Sequence, residues 1–265
     1  MNELASLPAA VAWTERLTAL ALALQTIELL SLRRAWADDG IWRWALLAPE
    51  HRQLTPPLRW ALARLLPARP FAAMLWSRLL ATLVLAAGAG RGSAPFLLVT
   101  QVAIGVRFRG TFNGGSDALS VVLLSALSLV QLLPASALAQ KAALLYIAVQ
   151  VTLSYFMAGL AKLQHTEWRS GDALASFVRD GGYGAPRWLV HALDGRTQTV
   201  VLSWAVLGFE CTFPLAWSAP SACAVFAGVG LCFHLGTWLL FGLNRFVLAW
   251  AAAYPALYWC SQLLH

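Results

Sequence analysis

Long apolar stretches separated by short polar connections dominate the hydrophobic pattern of this chain. A run of roughly 20 apolar residues can cross the hydrocarbon core of a bilayer as one helix. The pattern therefore predicts an all-α fold, a polytopic integral membrane helix bundle with about eight transmembrane helices. The whole chain, residues 1–265, is expected to form a single transmembrane domain. The predicted spans are roughly 12–32, 71–90, 93–108, 118–134, 141–163, 198–217, 219–241 and 245–264.

The segment 42–70 between the first two spans carries too many charges to cross a membrane. In "IWRWALL" and "LRWALARLL", helical spacing puts tryptophan and leucine on one face and arginine on the other. Such a helix lies in the plane of the membrane interface, with its apolar face among the lipid tails. We therefore predict an amphipathic interfacial segment whose role is structural.

The composition agrees with a protein surrounded by lipid. Apolar residues make up 59% of the chain and charged residues only 12%, whereas soluble domains carry roughly 25% charge. The 13 tryptophans also favour a bilayer, because indole rings settle at its two interfaces. A soluble globular class is excluded, and a multi-pass membrane protein is expected.

The net charge of +7 reflects membrane topology rather than nucleic-acid binding. Most lysines and arginines fall in the connections after the first, third, fifth and seventh predicted spans, while the opposite connections hold only Arg91 and Lys141. Positive residues concentrate on the cytoplasmic side. This asymmetry supports eight crossings with both termini outside, and no nucleic-acid partner is expected.

The four cysteines carry little information about function. Cys211, Cys223, Cys232 and Cys260 all fall within predicted spans, and they form no CxxC pair. Buried, inert thiols are the ordinary interpretation of this pattern. No metal site is predicted.

Several ionisable residues stand within or at the ends of predicted spans, and the candidates for a shared site are Glu28, Arg78, Lys162, Glu210 and His234. Such residues are costly in lipid and usually face a cavity or a partner. Two interpretations remain open. The residues can form inter-helix bonds that only hold the bundle together, or they can line a shared polar cavity that opens towards the inner side.

The connection "RFRGTFNGGSDAL" raises the question of an anion site. Arg107 and Arg109 precede a glycine-rich turn that begins at Asn113, and Asp117 stands at the start of the next helix. A turn followed by an N-cap explains the pattern. Arginines and backbone N–H groups at a helix N-terminus can equally bind an anion. The motif GxxxxGK[ST] is absent, so no nucleotide is implied.

Lys162 ends an apolar helix in "FMAGLAKLQHTEWRSGDAL". Ala158 and Gly159 are small and leave space one turn before it, so the amine can reach a pocket. A lysine in low-dielectric surroundings loses part of its preference for the charged form and becomes available as a base. A lysine at a helix end can also extend to the membrane interface, and position alone does not separate the two.

The stretch "YFMAGLAKLQHTEWRSGDAL" resembles a signature of the vitamin K-dependent gamma-carboxylases and their relatives, the horizontally transferred transmembrane domain family. The matching positions are Tyr155, Phe156, Ala158, Gly159, Lys162, Leu163, Trp168 and Gly171. Weaker matches are Glu210 in "FECTFPL" and His234 in "LCFHLGTWLLFGLNRFVL". The resemblance covers about residues 105–255. It implies that Lys162 deprotonates a reduced, vitamin K-like quinone, whose reaction with oxygen gives a stronger base. The resemblance also implies that the protein lies in a bacterial plasma (inner) membrane, as a multi-pass protein.

Three functions follow as hypotheses. The first is a membrane-embedded enzyme of gamma-carboxylase-like lyase or oxygenase chemistry, with a quinol- or lipid-like cofactor and a peptide or lipid substrate. In it Lys162, His234 and Glu210 are catalytic, and the binding residues are Arg107, Arg109, Asn113, Asp117, Tyr155, Trp168, Glu28 and Arg78. The second is a non-catalytic membrane partner in peptide maturation or immunity, which predicts a packed bundle without a cavity. The third is a small-solute transporter whose path is lined by Glu28, Arg78 and His234.

Overall fold

A computed structural model describes residues 6–108, 114–179 and 185–264. Helices account for 84% of the structure, and no strand occurs in these ranges. The helices are α1 Leu7–Ser31, α2 Arg33–Trp36, α3 Trp44–Leu47, α4 Pro56–Leu65, α5 Ala68–Ala86, α6 Ser93–Phe108, α7 Gly114–Leu132, α8 Ala137–Gln164, α9 Thr166–Arg169, α10 Asp172–Arg179, α11 Arg187–Ala192, α12 Arg196–Thr212, α13 Pro220–Phe241 and α14 Asn244–Gln262. Short 3-10 turns at Ala48–His51 and Phe213–Trp217 follow α3 and α12.

Each of the eight predicted spans coincides with a helix, although several ends differ. The second predicted span continued to residue 90, whereas α5 ends at Ala86. Gly88 has a φ of +64°, and a glycine in this left-handed conformation ends a helix at low steric cost. Gly242, with a φ of +68°, ends α13 in the same way. At the other end of α13, Pro220 occupies the first turn, where its missing N–H group costs nothing.

Six of the described helices are long and apolar enough to cross a membrane: α1, α5, α7, α8, α13 and α12 with its following turn. Helix α6 is apolar but shorter, and α14 is not among the six. Many large apolar side chains on these helices are exposed, including Leu83, Leu138 and Val225. Extensive exposed apolar surface is typical of lipid-facing helices. The chain is therefore a multi-pass membrane protein of at least six candidate crossings in its described part.

The helices separate into two compact units. The N-terminal unit comprises Glu15–Ala139, and the C-terminal unit comprises Gln140–His265 together with Met1–Thr14. In the N-terminal unit, α6 packs between α5 and α7. Its two apolar clusters are built around Leu22 with Leu97 and around Trp36 with Phe71.

The C-terminal unit contains most of α8 and everything after it. Helix α13 packs along α14, while α12 contacts α9, α10 and α13. The turn Phe213–Trp217 also rests on α13 and α14. An apolar cluster around Leu174, Val178 and Leu240 joins α10 to α13. Side chains of α8, α10, α12, α13 and α14 in this unit surround one cavity.

The predicted interfacial segment 42–70 contains α3, the turn Ala48–His51, α4 and the first residues of α5. Leu58 and Trp60 on α4 are exposed, and the Arg64 guanidinium lies 4.9 Å from the centroid of the Trp60 ring. Leu62 on α4 and Leu66, which directly follows this helix, are buried. The segment is thus short and amphipathic, and it packs onto the N-terminal unit by one face.

Candidate functional site

A cavity of about 730 Å³ lies within the C-terminal unit. Its wall is formed mainly by apolar and aromatic side chains of α8, α10, α12, α13 and α14. Within the described part of the chain, Lys162 and Glu210 are the only charged residues that line it. Their lining neighbours include Tyr155, Ala158, Trp168, Phe177, Phe209, Phe233, His234, Phe246 and Trp250. A mostly apolar pocket with a few converging polar groups is the usual form of a ligand site.

Lys162 and Glu210 form an ion pair across α8 and α12. The lysine Nζ donates to both carboxylate oxygens, at 2.6 Å to Oε1 and 2.7 Å to Oε2. The Glu210 side chain is only 3% exposed and that of Lys162 is 22% exposed. A carboxylate buried in a helix bundle needs such a partner. Lys162 therefore does not extend freely to the membrane interface, because its amine is bonded to Glu210 on the neighbouring helix.

Trp168 completes this side of the cavity. Lys162 Nζ lies 5.3 Å from the centroid of the Trp168 ring, a distance at which a cation and an aromatic face attract. The turn that carries Trp168 is tied to α12, because Ser203 Oγ donates to the Trp168 carbonyl and Trp204 Nε1 donates to the Arg169 carbonyl at 3.1 Å. The tryptophan is thus held beside the lysine by main-chain bonds.

Gly171, the last residue of the sequence signature, allows this turn to pack closely against α12. Its φ is +80°, and a Cβ added to it would lie 2.8 Å from the Val200 nitrogen. Both the left-handed backbone and the close approach to α12 require glycine here.

His234 belongs to a hydrogen-bonded row of three side chains. The Tyr155 hydroxyl lies 2.7 Å from His234 Nε2 and 2.7 Å from the Tyr254 hydroxyl. Gly230 makes room for the row, since an added Cβ would lie 2.4 Å from the Tyr254 hydroxyl oxygen. Tyr155 and His234 are 3% and 4% exposed. The row links α8, α13 and α14 at the cavity wall.

Aromatic rings continue the wall from this row. Tyr155 stacks on Phe213 at 4.1 Å between ring centroids. His234 lies 4.7 Å from Trp250, and Trp250 stacks on Phe246 at 4.9 Å with nearly parallel planes. Flat rings packed in this way present flat surfaces, which suit a ligand with an aromatic ring.

Arg78 does not line this cavity. It is fully buried in the N-terminal unit, and its guanidinium makes five hydrogen bonds that match its five N–H groups. The acceptors are Thr26 Oγ1, the Leu97 carbonyl, Thr100 Oγ1, Gln25 Oε1 and Gln101 Oε1, at 2.6 to 3.1 Å. This residue cross-links α1, α5 and α6, which is the role of an inter-helix bond.

The predicted anion-binding residues are dispersed. Arg107 is fully buried and donates to the main-chain carbonyls of Leu66, Trp36 and Trp42, with its guanidinium 4.4 Å from the Phe71 ring centroid. Asp117 Oδ1 accepts a 2.7 Å bond from Gln25 Nε2. Arg109 and Asn113 lie outside the described residues. Arg107 thus anchors the interfacial segment instead of facing the connection.

Glu28 is half-buried near the end of α1 in the N-terminal unit and does not line the cavity. Of the predicted site residues, the structure brings together Lys162, Glu210, His234, Tyr155 and Trp168. Trp250 and Tyr254 also belong to this site, and sequence reasoning missed both. Neither stands out among the many aromatic residues of the spans, so only packing reveals them.

No cluster of three histidine, cysteine or acidic residues able to hold a metal ion occurs in the described ranges. Comparisons with protein-family models, with curated proteins and with solved structures find no match for this chain. The site must therefore be interpreted from its own chemistry.

Proposed function

We propose that this chain is a membrane-embedded enzyme that binds an amphiphilic molecule with an acidic hydroxyl, of the reduced-quinone type, and removes the hydroxyl proton with Lys162. The observation that supports the proposal is the Lys162–Glu210 pair in the wall of an otherwise largely apolar cavity of about 730 Å³. A site of this size suits a small organic ligand, and the pair supplies the only charges among the described residues that line it.

The residues present fit such a ligand. Trp168 and Phe177 on one side, and Phe233 and Trp250 on another, would hold a flat ring and an apolar tail. The third N–H group of Lys162 is not used by Glu210 and is available to a ligand oxygen. A bound quinol would supply the oxygen-dependent chemistry that the resemblance to the gamma-carboxylases implies.

Proton abstraction requires Lys162 as a neutral amine. The short bonds to Glu210 offer a direct way to reach it, because transfer of one proton from Nζ to the carboxylate gives an amine and a carboxylic acid and removes both charges. The amine then accepts the proton of the ligand hydroxyl and becomes an ammonium again. The pair has gained one proton in total, held by Glu210, and the ammonium faces the new oxyanion.

The two alternative functions receive less support. A non-catalytic partner predicted a packed bundle without a cavity, whereas the C-terminal unit has one. A transporter predicted a path lined by Glu28, Arg78 and His234, but only His234 lines the cavity and the five bonds of Arg78 suit a structural role. We also propose that the protein lies in a bacterial plasma membrane and that its final substrate is a peptide or a lipid.

Oxygen uptake tests the proposal directly. The protein would be placed in lipid nanodiscs with 2-methyl-1,4-naphthohydroquinone, and uptake would be measured above that of empty nanodiscs. Lys162→Met keeps a long side chain without the amine, and we expect it to lower the protein-dependent rate by about 100-fold or more. Lys141→Met is the matched control, because Lys141 is an exposed lysine near the start of the same helix.

The variant Glu210→Gln tests the role of the carboxylate separately from the role of the lysine. The amide cannot take a proton from Lys162, so the rate should also fall by about 100-fold. Equal rates in the wild type, Lys162→Met and Lys141→Met proteins, each shown to be folded, would refute the proposal.

A further inference from the structure

We infer that His234 and Trp250 form a second polar anchor in the cavity, which binds an acceptor oxygen of the ligand at a distance from Lys162. The inference rests on the proposed function for the identity of the cavity as the ligand site. It specifies the ligand as a molecule with two oxygens, held at the two ends of a rigid apolar body.

The anchor is identified by two buried nitrogens. His234 Nδ1 and Trp250 Nε1 have no hydrogen-bond partner among the described residues. The two side chains line the same cavity, their ring centroids are 4.7 Å apart, and they are 4% and 7% exposed. A buried polar atom without a partner is uncommon and calls for a bound group that satisfies it. Two such atoms on neighbouring rings indicate one shared partner.

Neither ring can easily turn to find another partner. The other nitrogen of His234 is held by Tyr155 at 2.7 Å. Trp250 is stacked on Phe246 with an angle of only 7° between the planes. The fold therefore keeps both nitrogens at the cavity wall, although leaving them without an acceptor costs free energy.

The hydrogen-bonded row of Tyr254, Tyr155 and His234 determines whether His234 Nδ1 carries a proton. Tyr254 has no other hydrogen-bond partner among the described residues, so all hydroxyl protons of the row find an acceptor only when Tyr254 donates to Tyr155 and Tyr155 donates to His234 Nε2. The imidazole then carries its own proton on Nδ1. Trp250 Nε1 is always a donor. Two N–H donors on neighbouring rings of one cavity wall suit an oxygen acceptor.

The two anchors lie at different levels of the cavity. Tyr155, which holds His234, and Lys162 are seven residues apart on α8, which corresponds to about 10 Å along the helix axis. The rest of the cavity wall is mostly apolar and aromatic. A ligand that reaches both anchors needs oxygens on opposite ends of an apolar ring system, as in a 1,4-quinol and in the 1,4-dione that is its oxidised form.

A binding experiment with two ligands tests this arrangement. The affinities of 2-methyl-1,4-naphthoquinone and of 2-methyl-1-naphthol for the protein in nanodiscs would be measured by calorimetry. Trp250→Phe keeps an aromatic ring but removes the N–H group. We expect it to weaken naphthoquinone binding about fivefold and to change naphthol binding by less than about twofold, since the single oxygen of naphthol is used at Lys162. Trp238→Phe, an exposed tryptophan outside the cavity wall, is the matched control.

A second measurement does not depend on the Trp250 variant. The ¹⁵N resonance of His234 Nδ1, assigned through His234→Gln, should shift on addition of the naphthoquinone but not of the naphthol. The inference is overturned if naphthoquinone does not bind, if Trp250→Phe weakens both ligands equally, or if the Nδ1 resonance does not respond. A normal rate of oxygen uptake in Lys162→Met would refute the proposed function while leaving this binding difference intact.

Discussion

Gly159 on α8 lies directly against Glu210 on α12: a Cβ added to Gly159 would be 2.8 Å from Glu210 Cβ and 2.8 Å from the Cys211 nitrogen. The missing side chain lets the two helices approach closely, as small residues do in membrane bundles. Lys162 is one turn further along α8 and therefore reaches Glu210 across a short gap. The small residue before the lysine was expected to leave space for the amine; in the structure the backbone of a neighbouring helix fills that space.

Gly159→Ala should separate α8 from α12. Because backbone atoms cannot move aside, we expect a loss of about 1–3 kcal/mol in the free energy of unfolding and a weaker Lys162–Glu210 bond. Thermal unfolding in detergent measures the first effect. Gly208→Ala on α12 is the control, since an added Cβ there meets nothing within 4 Å. Equal stability of the two variants would show that the close approach is absent.

The Lys162–Glu210 pair should behave as a coupled unit in stability. Lys162→Met leaves a carboxylate that is 3% exposed without its cation, and such a loss costs about 3–5 kcal/mol. Glu210→Gln should cost less, because the ammonium of Lys162 is more exposed. The double variant should recover part of the loss, and a double-mutant cycle in chemical unfolding measures the coupling. If the two single losses in stability simply added, the predicted coupling between Lys162 and Glu210 would be wrong.

Arg78 should be required for folding of the N-terminal unit. Arg78→Met removes all five hydrogen bonds of the guanidinium from a buried site, and we expect a loss on the order of 3 kcal/mol or more in the free energy of unfolding. Arg78→Lys keeps the charge but offers three donors without the planar fork, so it should restore only part of the stability. Thermal unfolding checks both variants. Full stability of Arg78→Lys would mean that charge, and not the five-bond geometry, is what the site needs.

Gly171→Ala should be more damaging than Gly88→Ala. Both glycines have a positive φ, of +80° and +64°, so both alanines carry a backbone cost of about 1–2 kcal/mol. Only at Gly171 would the new Cβ also strike α12, at 2.8 Å from the Val200 nitrogen. Comparison of the two unfolding free energies isolates the clash. The variant at Gly171 should also lower oxygen uptake, because the turn holds Trp168 beside Lys162. Equal losses of stability in the two variants would argue against the close packing of Gly171 on α12.

The sequence was enough to predict the helices, but it predicted few of the bonds between residues on different helices. The apolar segments placed all eight long helices, and α6 has the predicted limits of residues 93–108. Helix ends depended on single residues such as Gly88, whose left-handed backbone is not recognisable within an alanine-rich stretch. For Arg78, burial was foreseen, but its acceptors are neutral glutamine, threonine and main-chain oxygens, which carry no charge pattern.

The sequence by itself determined that this protein is helical and embedded in lipid, because apolar runs of this length bury their backbone polar groups only as helices. It also determined which faces are polar, since helical periodicity assigns residues to faces. Only the tertiary structure decided which polar faces meet: Lys162 pairs with Glu210, 48 positions away, and His234 bonds to Tyr155, 79 positions away. Periodicity fixes a direction around each helix, while the choice of neighbour depends on how closely the helices can pack.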